Sequence, residues 1–224
     1  MKIIELTGLP GCGKTTLAND IKKNFPELNL LTSDVAYPNR KIFLNSTRFQ
    51  FLIDLLNLKN VVINILIILY ILSYKIDRAR VRRIITFITF NSWLIKQRNK
   101  ESDGYLILDQ GFIIMLTSVA HDVNIKQNFI FKRLIKELRK KFSDILFINC
   151  ELDKQKVIKQ IRRRNKKGHR FDSLSDESLQ QMLDIRQNNL EIVKGPFQEG
   201  LDVLTLNMSS DKEIKIMEIL KFIH

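Results

Sequence analysis

Two cysteines in 224 residues leave no material for a disulfide framework. Cys12 lies in a glycine-rich loop and Cys150 ends an apolar run. No signal peptide precedes that loop, so a cytoplasmic location, where ATP is available, is expected. Internal repeats, linkers and low-complexity tails are absent, and a single domain over 1–224 is the simplest organisation. An unbroken apolar run of bilayer length is missing too. The most apolar stretch, 61–74, is interrupted by Asn64 and Ser73, and spanning a bilayer takes about 20 apolar residues. A buried helix is expected there. Lys75, Arg78, Arg80, Arg82 and Arg83 follow it, which leaves peripheral contact with lipid headgroups open.

Acidic residues are in deficit, 24 against 37 basic ones, for a net charge of +13. Such an excess suits phosphorylated ligands, nucleic acid or an anionic membrane face, and equally a solvated basic surface. With 45% hydrophobic and 27% charged residues, the composition is that of a soluble globular protein.

What the chain does have is Gly8-Leu9-Pro10-Gly11-Cys12-Gly13-Lys14-Thr15-Thr16, which fits G-x-x-x-x-G-K-[ST], the Walker A or P-loop pattern. The glycines allow backbone dihedrals closed to other residues, so successive N–H groups turn inward and form a nest for anions. Lys14 adds a charge that reaches β- and γ-phosphates, and the Thr15 hydroxyl is a ligand for Mg²⁺. The context supports the match. Residues 2–7 read as a buried strand before the loop, and 15–23 as a helix after it whose positive dipole end faces the phosphates.

Further along, 28–33 reads as a second strand that delivers Asp34 beyond its carboxyl end, where ligands bind in open parallel sheets. Asp34 either meets a substrate there or caps the next segment. Three helices are expected near 40–57, 60–75 and 79–98. Residues 105–109 form a short apolar strand ending in Asp109, the Walker B type, whose carboxylate would hold Mg²⁺ beside the P-loop. Gln110 follows, placed either to bond a substrate or simply to enter a helix. A helix over about 124–141 and a strand over 144–150 come next.

The densest charge cluster is Lys159, Arg162, Arg163, Arg164, Lys166, Lys167 and Arg170. Such cations repel one another unless an anion is present, and the planar arginine fork spreads over phosphate oxygens. The alternative is a solvated basic helix or a nucleic-acid patch. Ser173-x-x-Asp176 has the capping-box form and is expected to open a helix that Gly195-Pro196 ends. A fifth strand covers 201–206.

In this order the chain resembles the P-loop small-molecule kinases, the group that holds nucleoside monophosphate kinases and shikimate kinase. The resemblance rests on Gly8–Thr16, Asp34, the strand ending in Asp109, the arginines of 162–170 and the closing strand with Asn207-Met208-Ser209-Ser210 after it. It implies a three-layer α/β fold with a five-stranded parallel sheet, an Arg-rich lid over about 159–172 and a helical acceptor-binding region over about 39–100. It implies an Mg-ATP-dependent transfer of the γ-phosphoryl group to a small-molecule acceptor.

In that scheme Gly8, Pro10, Gly11, Cys12, Gly13, Lys14, Thr15 and Thr16 cradle the phosphates, with Asn207 near the base and Thr15 and Asp109 on Mg²⁺. Asp34 orients or deprotonates a hydroxyl acceptor, or Arg40 and Arg48 hold a phosphate acceptor. Gln110 touches the substrate, and Arg163, Arg164 and Arg170 close over the transferring group. Nucleoside monophosphate kinases commonly carry Asp-Arg, and deoxynucleoside kinases Glu-Arg, where this chain has Asp109-Gln110-Gly111. The pattern therefore assigns neither acceptor. A different class of function, an ATP-dependent switch that contacts nucleic acid or an anionic membrane through its basic clusters, stands as the alternative.

Overall fold

The computed structural model describes residues 2–25, 31–32, 61–72, 78–98, 104–119, 129–164, 171 and 174–223. Strands β1 (Lys2–Thr7), β3 (Tyr105–Leu108), β4 (Ile145–Glu151) and β5 (Val203–Asn207), with a two-residue edge strand β2 (Leu31–Thr32), form one sheet in the order β2-β3-β1-β4-β5. All pairings are parallel. Parallel strands are covered on both faces, and their sequences run as nearly continuous apolar stretches. Central β1 shows this: Ile3, Ile4, Glu5, Leu6 and Thr7 are all buried.

The period-two alternation of a strand divides them between two cores. Ile3 joins Leu106, Leu108, Ile145 and Phe147 on one face. Ile4 and Leu6 join Ile107, Ile148 and Cys150 on the other. The second face is covered by α1 (Lys14–Asn24), α6 (Lys154–Arg163) and α8 (Lys212–Ile223). The first is covered by α2 (Val61–Leu72), α3 (Arg78–Arg98), α4 (Phe112–Val119), α5 (Phe129–Lys141) and the later turns of α7 (Asp176–Gln198). Chain direction across the sheet switches at β1, which lies between β3 and β4, so the crevice for a ligand opens at its carboxyl end.

Two expectations change. Helix α7 does not stop at Gly195-Pro196 but continues to Gln198 with Pro196 inside it, and its cap is Ser175, whose hydroxyl accepts from Ser178 N. Ser173 is therefore not the cap. An interior proline costs a helix about 3 kcal/mol. The next residue, Phe197, is completely buried, with ring centroids 5.4 Å from Phe112 and 5.8 Å from Phe147. Burial of such a side chain returns about 2–3 kcal/mol before the ring contacts are added, so packing carries the helix past the proline.

Helix α2, expected to be buried, is buried on one face only. Ile63, Ile67 and Tyr70 enter the core, Tyr70 against Phe131 of α5 at 5.3 Å, while Val62, Ile65 and Leu69 are about half exposed. No helix among the described residues is long and apolar enough to cross a membrane. The helix expected near 40–57 lies outside the described residues.

Candidate active site

The P-loop leaves β1 at Gly8 and enters α1 at Lys14. Two glycines are fixed by geometry. Gly8 has φ +139°, and a Cβ there would stand 2.4 Å from the carbonyl oxygen of Cys150 on β4. Gly13 caps α1 in the left-handed region with φ 99°, a conformation that side-chain-bearing residues rarely adopt.

Inside this loop Lys14 is 92% shielded, with 8% of its surface exposed. Its Nζ donates to Gly8 O at 2.9 Å and Leu9 O at 2.8 Å, and lies 3.6 Å from Cys12 Sγ. The Thr15 hydroxyl donates to Asp109 Oδ2 at 2.7 Å, joining two groups 94 positions apart. Asp109 is buried and stands just past the end of β3, as the Walker B pattern predicts. Among the described residues no cluster of three or more His, Cys, Asp or Glu could hold a metal. A hydroxyl and one carboxylate side by side are what Mg²⁺ takes when phosphates and water supply its remaining ligands, so the residues present fit that ion.

A cavity of about 580 Å³ opens from this pair. Gly8, Leu9, Pro10, Gly11, Gly13, Lys14 and Thr15 line it together with Asp109 and Gln110. Ile114, Thr117 and Ser118 of α4, Arg186 and Leu190 of α7, and Ile161, Arg164 and Phe171 complete its lining. The Arg186 guanidinium lies over the Phe171 ring at 5.1 Å, a cation–π arrangement that keeps its plane pre-organised. Arg83 Nη1 donates to Ser118 O at 3.3 Å, at the end of α4.

The expected residues thus separate. Gly8, Pro10, Gly11, Gly13, Lys14, Thr15, Asp109, Gln110 and Arg164 meet around one cavity. Cys12 is buried beneath the loop, Thr16 is exposed on α1, and Arg163 is exposed on the last turn of α6. Asn207 ends β5 and is exposed, its side-chain oxygen accepting from Ser209 N at 2.9 Å within its own turn. Asp34, Arg40, Arg48 and Arg170 lie outside the described residues. Within the basic cluster, Arg162 serves packing: Nη2 stands 2.6 Å from Asp176 Oδ1 and 2.6 Å from Leu174 O, tying α6 to the start of α7.

Sequence reasoning missed Arg186, Phe171, Thr117 and Ser118, which no local pattern marks. It also passed over Glu5, which did carry a signal: one acidic residue inside an apolar strand. Its side chain is wholly buried, and burial pushes the carboxyl from 4.5 up to about 8, against the lowering effect of the Ile113, Phe112 and Ile114 N–H groups. Cys150 is held as a thiol: burial, then neighbouring Cys12, pushes it up to about 12, with Lys14 pulling the other way.

No family model matches the chain, and no curated protein matches it either. Solved structures do. The deoxyadenosine kinase of M. mycoides, solved with the products dCMP and a flexible dCDP, is 14% identical with a TM-score of 0.55, covering 99% of this chain and 98% of its own. Its dATP complex gives 14% identity and a TM-score of 0.54, covering 100% and 99%. The YorR protein of Bacillus subtilis, in complex with phosphorylated GDP, is 14% identical with a TM-score of 0.51, covering 99% and 95%. At these identities the shared property is the fold, an α/β architecture with a parallel sheet.

Proposed function

We propose that the protein is an Mg-ATP-dependent phosphotransferase whose acceptor is a nucleoside or nucleotide. The observation that carries this reading is the Thr15–Asp109 contact at 2.7 Å, in a cavity whose lining continues past the P-loop. A nucleotide switch needs room for one nucleotide. A transferase also needs room for a second molecule in line with the γ-phosphorus, and the cavity extends to α4 and α7.

In this reading the loop amides and Lys14 would hold the triphosphate, and Thr15 and Asp109 would hold Mg²⁺, which would supply positive charge beside the phosphates. The acceptor oxygen attacks the γ-phosphorus, the bond to the bridging oxygen breaks, and ADP leaves. A hydroxyl acceptor gives up its proton to a carboxylate, the role proposed for Asp34. A phosphate acceptor needs no base and would rest on Arg40 or Arg48. Arg164, with Arg163 and Arg170, forms the lid that closes over the transferring group, and Gln110 contacts the acceptor. Phe171 and Arg186 offer an aromatic face and a cation on the wall, which suits a flat, polar acceptor. The M. mycoides enzyme, named a deoxyadenosine kinase, and the YorR protein with its phosphorylated GDP support this acceptor class.

Acceptor-dependent ADP formation with Mg²⁺, measured across deoxynucleosides, nucleosides and their monophosphates, tests the reading. One of these is expected to raise ADP formation well above the acceptor-free rate, and Lys14→Ala to abolish the increase. ADP formation that no acceptor stimulates, or that survives Lys14→Ala, overturns it.

A further inference from the structure

Glu5 stands in the middle of central β1, where alternation and burial call for an apolar residue. Its register neighbours are Leu108 on β3 and Phe147 on β4. A carboxyl kept in such a place has a partner that justifies it or a position that needs it. The partner is the first turn of α4. Glu5 Oε1 accepts from Ile113 N at 2.7 Å, across 108 positions of sequence, and the Phe112 and Ile114 N–H groups also act on the carboxyl. The first N–H groups of any helix lack intrahelical acceptors. Here the residue before the helix is Gly111, which has no side chain to cap them, and the first turn holds no acidic residue. Glu5 supplies from the sheet the cap that the local sequence omits.

The fit is close. A Cβ on Gly111 would lie 2.4 Å from Glu5 Cδ and 2.8 Å from Oε1, so the glycine after Asp109-Gln110 is required by the carboxyl beneath it. The other oxygen, Oε2, is buried and has no hydrogen-bond partner among the described residues, which costs about 1–3 kcal/mol. A group retained at such a cost is better explained by where it holds its neighbours than by stability.

What it holds is the site. The turn that Glu5 pins begins at Asp109 and Gln110, and the helix it caps presents Ile114, Thr117 and Ser118 to the cavity. We propose that Glu5 is a positioning residue: its buried carboxyl fixes the first turn of α4 and thereby sets Asp109 opposite Thr15 and the acceptor wall opposite the P-loop. The role rests on the phosphotransferase reading for its consequence, and on the Glu5–Ile113 contact for its geometry.

The test compares Glu5→Ala, Glu5→Gln and Gly111→Ala in the full chain, by calorimetric ATP titration with Mg²⁺ and with chelator and by amide hydrogen exchange. Glu5→Ala is expected to bind metal-free ATP within about twofold of wild type but to lose on the order of tenfold in Mg-ATP affinity, the scale at which supporting partners of a metal ligand act. Exchange at Ile113 should rise at least tenfold. Glu5→Gln, which keeps an oxygen for Ile113 N, should stay within about threefold of wild type in both.

Gly111→Ala should mimic Glu5→Ala, because its methyl displaces the carboxyl. It should have little further effect in the Glu5→Ala background. Should Glu5→Ala not fold, Gly111→Ala and Glu5→Gln decide the matter. Wild-type Mg-ATP affinity and exchange in Gly111→Ala, or in a folded Glu5→Ala, overturn the proposal, as does failure of Glu5→Gln to restore them. A wild-type protein that binds no ATP would sink the phosphotransferase reading alone. Exchange at Ile113 would still decide whether Glu5 holds α4.

Discussion

At the scale of single residues, opposing effects on one carboxyl make a measurable claim. The N-terminus of α4 favours an anion at Glu5, while burial favours the neutral acid, and burial wins, giving about 8 in place of 4.5. The folded protein then keeps a proton that the unfolded chain releases. Stability from this group is fully present below about 4.5, falls as pH rises, and is gone above about 8. At ~1.4 kcal/mol per pH unit the fall is on the order of 5 kcal/mol. Glu5→Gln has nothing to titrate. Its urea unfolding free energy should match wild type near pH 5 and exceed it by several kcal/mol at pH 9. Parallel pH profiles for the two proteins would show that the carboxyl is already ionised. At Arg186 the expected result is kinetic. Arg186→Ala should lower kcat/KM by roughly 10–100-fold, the loss of a hydrogen bond from a charged group, and Arg186→Lys should recover little, since an ammonium cannot reproduce the planar stack on Phe171. Full activity in Arg186→Ala would remove this residue from the acceptor wall.

At the scale of elements, α7 shows how much was legible in sequence and where it stopped. The P-loop was readable because strand, loop and helix follow one another within 24 residues, so local chemistry alone specifies them. Asp109 was readable because an apolar run ending in Asp has meaning once a P-loop precedes it. Arg186 and Phe171 were not, because nothing local marks them: Arg186 reaches the cavity on α7, which packs against α4, and Phe171 meets it there through the Arg186 guanidinium. Pro196 misled for the same reason: its helix-ending tendency is a local term, and the burial of Phe197 against Phe112 and Phe147 is a tertiary one of similar size. Phe197→Ala should therefore cost about 3–5 kcal/mol in denaturant unfolding and also free the last turn of α7. Amide exchange confined to the end of the helix, beside a loss under about 1 kcal/mol, would mean that the proline turn holds itself.

At the scale of the whole molecule, the question is what a net charge of +13 is for. Distributed cations attract any polyanion, weakly and with strong dependence on salt. A cradle of backbone amides around one lysine binds a triphosphate by geometry, and its buried contacts are screened far less. Several of the described cations are already engaged inside the fold: Arg162 with Asp176, Arg98 with Asp144, and Arg83 with Ser118 O. The cradle is thus expected to dominate. Mg-ATP at about 100 times its dissociation constant should stabilise the protein by ~2.7 kcal/mol, which for a chain of this size raises Tm by roughly 5–10 °C. The shift should persist at high salt and vanish in Lys14→Ala, whose own Tm should stay near wild type because Gly8 and Leu9, whose carbonyls it releases, line the cavity. A duplex oligonucleotide that gives the larger shift at low salt, undiminished by Lys14→Ala, would instead assign the charge to a polyanion surface and leave the P-loop a secondary site.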